Sequence, residues 1–380
     1  MSELNERVHE YWTQQNWNVQ REGDRTFYYK DRNPAKVKGL DFLRYSKRKK
    51  PISMQQFIEN TKRFFEDRDF SQKVSDSVIN PEKDTIFIVA GVQCLSDFLR
   101  GRKEGDGKKY FIPQPVIRTK YRDFVGEGSV SSFVNLSTAQ IPSSPEAYLS
   151  HVNDWMDYLS KLGLNLKDFV LRFEETEGEN FTGFWANAKG NVLTFNYGGL
   201  EVGDAGYLQV EGRPFITDIG FGLERLLWAV NKSDHFSDLL GPRPFSFGND
   251  YQLLDSVRTS TLISLSGLDK KEDDPLRQFQ IYLNNIKDRK SIDLHRLVKH
   301  YYDFWKSFIN PSRGFDETYE TVLAEVNRQR NLDLLNRLGF KKTPKTLNRF
   351  LPEDSDKMIQ GLIDNNLIDF DKIRKAHQID

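Results

Sequence analysis

The sequence predicts an α+β fold, a mostly antiparallel sheet with helices, followed by an all-helical domain. Two observations carry this. Strand-like runs spaced by glycine-rich turns fill the middle of the chain ("DFVLRFEE", "GNVLTFNY", "AGYLQVEG", "RPFITDI"). After Pro244 the strand-like runs give way to apolar residues recurring at three- and four-residue spacing, which is the texture of packed helices.

Residues 1–50 are polar and aromatic and end in the basic run "RYSKRKKP", so they read as an N-terminal extension or small subdomain with a boundary near Pro51. "KRKK" suits a solvated linker, with a nucleic-acid contact as its alternative use. "SMQQFIENTKRFFEDRDF" is an amphipathic helix with Phe57, Thr61, Phe64 and Phe65 at helical spacing, and "DTIFIVAGV" reads as a buried strand. "KKYFIPQPVIRT" and "SVSSFVNLS" are two strands joined by the polar loop "KYRDFVGEG", Pro113 and Pro115 demanding an edge or irregular position. "PEAYLSHVNDWMDYLSKLG" is a helix entered at Pro145 and stopped at Gly163. The four strands named above follow, then a helix from Leu223. Beyond residue 250, "YQLLDSVRTSTLISLSGL", "PLRQFQIYLNNIKD", "LHRLVKHYYDFWKSFI" and "YETVLAEVNRQRNLDLLNRLG" are helices, and two short helical pieces close the chain. The expected domains are 1–50, 51–243 and 244–380.

A length of 380 residues allows two domains, and 38% hydrophobic with 13% aromatic residues supports a real core. Lys+Arg and Asp+Glu both number 55, so no overall basic field marks a nucleic-acid protein, although a local basic face is compatible with a neutral total. Cys94 is the only cysteine, which excludes an intrachain disulfide and a cysteine-rich zinc site. The start "MSELNERVHEYW" is charged, unlike a signal peptide, and the longest apolar run, "TIFIVAGV", is far too short to span a bilayer. A cytoplasmic protein with no membrane segment is expected.

The chemistry concentrates in two stretches. In "ITDIGFGLERLLWAV", Leu223, Leu226, Leu227 and Val230 share one helical face, leaving Glu224 and Arg225 facing elsewhere. A cation in a first helical turn is disfavoured by the helix dipole. Gly220 and Gly222 strip the helix entrance of side chains, so an arginine there makes sense if a polyanion binds; the alternative is an ion pair with an interior acid. In the second stretch Ile112, Gln114, Val116 and Arg118 share a strand face, and the loop beyond adds Lys120 and Arg122, a phosphate clamp or simply a charged hairpin loop. His295 and His300 are not at the four-residue spacing of a helical zinc pair.

"VIRT" with its hairpin loop, and later strand–"GFGLER"–helix, together resemble motifs 2 and 3 of class II aminoacyl-tRNA synthetases. Within that class the chain is most similar to the alanyl-tRNA synthetase catalytic domain. "QPVIRT" looks like its "QxCIRT", "ENFTGFW" like its "DNFW", "EVGDAGYLQ" like its "EIWNLVFMQ", and "ITDIGFGLERLL" like its "VDTGMGLERL". "YQLLDSVRTSTLISLSG" is similar to the helix that opens the family's tRNA-recognition domain. The resemblance implies a class II synthetase-like sheet flanked by helices and an ATP-dependent amino-acid ligase that forms an aminoacyl-adenylate. It implies that Arg118 holds the α-phosphate of ATP and Arg225 the γ-phosphate, with Arg122 and Gly222 in the same site and Mg²⁺ neutralising the phosphates. Asp218 would bind the substrate ammonium, with Trp185, Gly220, Asp204 and Gly206 lining the amino-acid pocket. The acceptor it implies is tRNA, met by the helical domain. A carrier protein, a peptide or a small amine is the alternative, and a non-catalytic binding module a further one. No clear motif 1 fixes a monomer or a homodimer.

The departures are specific. The motif 2 loop is short, and Val134 stands where the family has a glutamate. The family's "WNLV" reads Gly203-Asp204-Ala205-Gly206, which enlarges the pocket beyond alanine and offers Asp204 to a polar or cationic side chain, or else to a turn at a strand's start. A strongly basic helix is replaced by "PLRQFQIYLNNIKDR". A tRNA enzyme therefore predicts a basic stripe built from Arg258, Lys287, Arg289, Lys290, Arg296 and Lys299.

Overall fold

The computed structural model describes residues 2–31, 33–45, 50–176, 188–210, 212–241, 250–268, 271, 273–289 and 292–368. The chain divides into two units, residues 1–249 and 250–380. The first holds, in order, α1 (Ser2–Gln14), β1 (Asn18–Glu22), β2 (Arg25–Tyr29), α2 (Met54–Glu66), β3 (Ser71–Gln72), α3 (Ser96–Leu99), β4 (Lys109–Ile117), β5 (Ser132–Gln140), α4 (Pro145–Lys161), β6 (Phe169–Thr176), β7 (Ala188–Tyr197), β8 (Leu200–Val210), β9 (Phe215–Gly222) and α5 (Leu223–Asn231). The strands form one sheet in the order β1-β2-β6-β7-β8-β9-β5-β4-β3, antiparallel except for β3 against β4. The α+β prediction holds. Residues 1–50 do not stand apart as an extension, because β1 and β2 complete the edge of this sheet beside β6.

One face of the sheet is covered by α2 and α4. Both helices start where the sequence supplies caps, Ser53 accepting from the Gln56 amide and Ser144 from the Ala147 amide just before Pro145. Trp155 of α4 stacks on Phe221 at 4.3 Å and donates to the Thr138 hydroxyl, and Phe65 of α2 stacks on Phe111. The aromatic residues Phe57, Phe65, Tyr148 and Trp155 are fully buried here, which leaves the opposite face of the central strands free to hold a cleft.

The prolines of β4 sit where its outer edge is open. β3 reaches only Phe111, and residues 113 and 115 share the outward-facing edge with Phe111 and Ile117, which bond to the Lys73 amide and the Ile88 carbonyl. "DTIFIVAGV" is not a ladder strand as its composition suggested. The turn at Gly91–Leu95 folds Gln93 back, so that its side-chain oxygen accepts from both the Val89 and Ala90 amides. Those two donors, met by a side chain, are withdrawn from any strand partner, and the segment becomes a wall of the cleft.

The second unit is helical, with α6 (Tyr251–Leu265), α7 (Asp273–Asn284), α8 (Leu294–Trp305), α9 (Phe315–Arg337) and α10 (Ser355–Asp364). Nearly all of α6 is buried, including Val257, Leu262, Ile263 and Leu265. A smaller cluster of Leu335, Leu347, Leu351, Met358 and Leu362 seats α10 and the turn before it. Among the described residues no helix is long and apolar enough to cross a membrane.

Candidate active site

Residues paired across adjacent strands share a face, and side chains alternate along each strand. Asn135 pairs with Gly222, Ser137 with Gly220, Asp204 with Gly220, and Gly206 with Asp218. Asn135, Ser137, Asp204, Gly206, Asp218, Gly220 and Gly222 therefore line the face opposite Trp155. Gly203-Asp204-Ala205-Gly206 lies within β8, not in a turn. Gly220 lies within β9 instead of at the helix entrance, and Gly222 is the N-cap of α5.

Two cavities open on this face. The first encloses about 590 Å³ of empty space including its mouth. Arg118, Phe133, Asn135, Glu201 and Arg225 surround a floor made by Gly203, Gly220 and Gly222. A side chain on Gly220 would place its Cβ 2.8 Å from Asn135 Oδ1, so only a glycine leaves both the floor and the Asn135 amide in place. The second cavity, about 1460 Å³ on the same measure, is walled by Ile86, Phe87, Val89, Val192 and Leu208 and floored by Gly206, Asp204 and Asp218. Arg118 and Asp204 line both cavities.

The two guanidinium groups are held by neutral partners. Arg118 Nε donates to the Val89 carbonyl at 2.9 Å, and its guanidinium sits 5.1 Å above the Phe133 ring. Arg225, in the first turn of α5, donates from Nε to the Gly128 carbonyl at 2.6 Å and from Nη1 to the Glu201 carbonyl at 3.1 Å. Its alternative use, an ion pair with an interior acid, is not what holds it. Carbonyl acceptors orient a guanidinium without cancelling its charge, so both cations remain available to an anion. Gly128 takes φ +77, in the loop that follows Arg118. Glu127 fixes that loop by accepting from the Phe236 amide at 3.0 Å.

Glu224 was expected to face away from the core; instead it is buried, and its Oε2 accepts from the Val134 amide. β9 ends at Gly222 opposite Asn135, so the next amide on β5 has no strand partner, and the Glu224 carboxylate takes that place. Asp204 and Asp218 make no hydrogen bond or ion pair among the described residues. The sheet buries both from behind, while on the cleft side Asp218 is half-buried and Asp204 exposed. That burial raises Asp218 to about 7, with Asp204 adding to the rise and Arg118 opposing it. Asp204 is raised to about 6 by burial, against Arg118 and with Glu201.

Of the residues singled out in the sequence, Arg118, Arg225, Gly220, Gly222 and Asp204 line the first cavity, and Arg118, Asp204, Gly206 and Asp218 the second. Gly220 belongs to the first cavity alone. Arg122 lines neither; its Nε lies 3.5 Å from Asp123, and Tyr121 occupies the rim instead. Trp185 lies outside the described residues. Asn135, Phe133, Glu201 and Glu224 were not anticipated. Alternation along "SSFVNLS" would have paired Phe133 with Asn135 on one face, whereas nothing local marks Glu201.

Among the described residues no group of three or more His, Cys, Asp or Glu side chains is placed to hold a metal ion. The oxygen donors that face the first cavity, Glu201, Asp204 and Asn135, suit a hard cation that arrives already bound to phosphates, not one held by protein alone.

No family model matches the chain, and no curated protein does. Among solved structures the chain is similar to PylSc of Desulfitobacterium hafniense, a pyrrolysyl tRNA synthetase. The TM-score is 0.36 and the identity 15%, over 50% of this chain and 71% of that one.

Proposed function

We propose that this protein activates the carboxylate of an amino acid with ATP, forming an aminoacyl-adenylate and pyrophosphate, and then passes the acyl group to an acceptor. The observation that carries the reading is the pair Arg118 and Arg225, two cations held by carbonyls around a side-chain-free floor. These are the arginines of "VIRT" and "GFGLER", the stretches in which the sequence resembles class II synthetases.

In this reading the nucleotide occupies the first cavity and the amino acid the second. A carboxylate oxygen attacks the α-phosphorus, the bond to pyrophosphate breaks, and negative charge builds on the phosphoryl oxygens. Arg118, on the wall common to both cavities, meets the α-phosphate; Arg225 meets the outer phosphates at the N-terminal end of α5. Fixed donors in a preformed cleft need no reorganisation as the charge develops. Asp218 takes the substrate ammonium. Mg²⁺, carried in by ATP beside Glu201 and Asn135, would supply further charge neutralisation.

A specific observation bears on the acceptor. Of the six residues expected to form a basic stripe, Arg258 is buried, Lys287 pairs with Asp333, Arg289 with Asp250 and Lys299 with Asp303; Arg296 is exposed, and Lys290 lies outside the described residues. Cations neutralised in this way release few counterions on meeting a phosphate backbone. This favours a carrier protein, a peptide or a small amine over tRNA.

Amino-acid-dependent ATP–pyrophosphate exchange tests the reading, with Arg225→Ala as control. Exchange with at least one amino acid, lost in the variant, is the expected result. Absence of both exchange and ATP binding by calorimetry would leave only a binding module.

A further inference from the structure

The second cavity is larger than an α-amino and an α-carboxyl group require, and it contains one carboxylate too many for them. Asp204 pairs in register with Gly220, and Asp218 with Gly206, so the two acids are diagonal neighbours on adjacent strands of one face. Diagonal positions of this kind lie about 7–8 Å apart, within reach of a single bound ligand. Neither acid has a hydrogen-bond or ion-pair partner among the described residues. The cation beside them is Arg118, which the reaction draws toward phosphate. Lys120 also borders the cavity, but it is exposed, 5.3 Å above the Tyr121 ring. The remaining walls are largely apolar: Ile86, Phe87, Val89, Val192 and Leu208.

We infer that the preferred substrate is an amino acid whose side chain carries a cation on an apolar stem, with Asp204 as the residue that recognises that cation. The inference rests on the adenylation reading and names its substrate class. Asp218 neutralises the α-ammonium, as the resemblance implies. A single ammonium leaves Asp204 an unpaired carboxylate in a cleft closed by substrate, which is costly. A second cation on the ligand removes that cost, and the apolar walls cover the methylenes between the two charges. Gly206, on the floor of this cavity, carries no side chain and leaves room for such a stem where a larger residue would fill it. Both acids are held partly protonated near neutrality, so a dicationic ligand also expels protons as it binds.

The test compares matched pairs in ATP–pyrophosphate exchange: lysine against norleucine, ornithine against norvaline, and 2,4-diaminobutyrate against 2-aminobutyrate. ATP binding is measured by calorimetry on the same samples. The expected result is a kcat/KM at least 100-fold higher for one cationic member than for its neutral partner. Asp204→Asn should shrink that ratio at least tenfold, chiefly through KM for the cationic member. Asn is isosteric, and a thermal melt of the variant confirms that it folds. Calorimetry in buffers of different ionisation enthalpy should show proton release with the cationic ligand that falls in Asp204→Asn. A neutral member that equals or exceeds its cationic partner overturns the inference and leaves adenylation standing. ATP binding without exchange for any pair overturns the inference as well, and absence of ATP binding overturns the reading beneath it.

Discussion

Arg225 and Arg258 show two ways in which this chain places an arginine. Arg225 is half-buried in the first turn of α5, its nitrogens on two backbone carbonyls at the edge of a cavity. Arg258 lies inside the helical unit, 1% exposed, with its guanidinium 4.4 Å from both the Phe304 and Trp305 rings. The first is oriented and left charged toward an open space. The second is enclosed by aromatic faces that stabilise its charge in place. Around them the cleft and the helices follow the same division. Among the described residues Arg118, Asp204 and Asp218 face the cleft without a salt bridge, while Lys287, Arg289 and Lys299 of the helices are matched to acids. Charge in the cleft waits for a ligand, whereas charge in the helices, and elsewhere in the sheet unit where Arg68 meets Asp154 and Asp157, holds structure.

The largest effect is expected from the waiting charges. Arg118→Ala and Arg225→Ala should each lower kcat/KM for ATP–pyrophosphate exchange by roughly 10²–10³-fold, the range found when one preorganised donor to a developing anion is removed. Their melting temperatures should stay close to the parent's, because the partners lost are carbonyls that water can reach through the cavity. A variant that melts well below the parent with exchange intact would place Arg225 among the structural arginines.

Arg258→Ala should do the reverse. Truncation leaves a void between Phe304, Trp305 and Tyr301, and a loss of about 3 kcal/mol is expected by analogy with large-to-small core substitutions. Urea unfolding monitored by tryptophan fluorescence reads this directly, since Trp305 donates to the Arg258 carbonyl at 3.0 Å. Exchange per folded molecule should be unchanged. If stability holds and exchange falls, the division between the two arginines is wrong.

How far this division was legible in the sequence differs between the units. The sheet arginines were legible because motif and period agree: alternation sets Arg118 on a face with Gln114 and Val116, and two glycines flank the approach to Arg225. Asp204 was legible as a departure from a family pattern, but its position inside a strand was not, since Asp-Ala-Gly is equally at home in a turn. "DTIFIVAGV" misled because composition reports burial, and Phe87 and Ile88 are indeed buried, whereas pairing was decided by Gln93 folding back on the Val89 and Ala90 amides. The ion-pair partners of the basic residues were not legible, because a list of cations carries no record of partners. Lys287 meets Asp333, far along the chain on α9, and no local spacing announces it. Glu224 escaped for a similar reason: its use depends on where β9 stops relative to β5.

The unpartnered acids make a smaller, directional prediction. Burial raises Asp204 to about 6 and Asp218 to about 7, above their ordinary value of 3.8. The folded chain therefore holds these protons more tightly than the unfolded chain, and the stability they contribute is fully present below about pH 4. It is lost as pH rises through about 6 for Asp204 and about 7 for Asp218. Water in the open cavity screens both groups, so the ligand-free protein should melt only about 2–4 °C lower at pH 8 than at pH 5 from this source. The double variant Asp204→Asn, Asp218→Asn should flatten that slope. An unchanged slope would mean that the cleft acids carry no strain, and the contrast with the matched acids of the helical unit would narrow.

The smallest effect tests the helical side. Lys299 Nζ donates to both oxygens of Asp303 at 2.8 Å, and Lys306 reaches the same carboxylate at 2.7 Å. Both lysines are close to half exposed, so solvent and salt weaken the pair. Lys299→Ala leaves Asp303 with Lys306, and a stability change below about 0.5 kcal/mol is expected. Retention of bulk tRNA on filters at low salt should not change either, because a cation already matched to an acid adds little counterion release. The same measurement on Lys287→Ala extends the test to the pair with Asp333. A tenfold fall in tRNA retention in either variant would show these lysines exchanging their acids for phosphates. Charge in the helices would then also be waiting for a ligand, and tRNA would return as the acceptor.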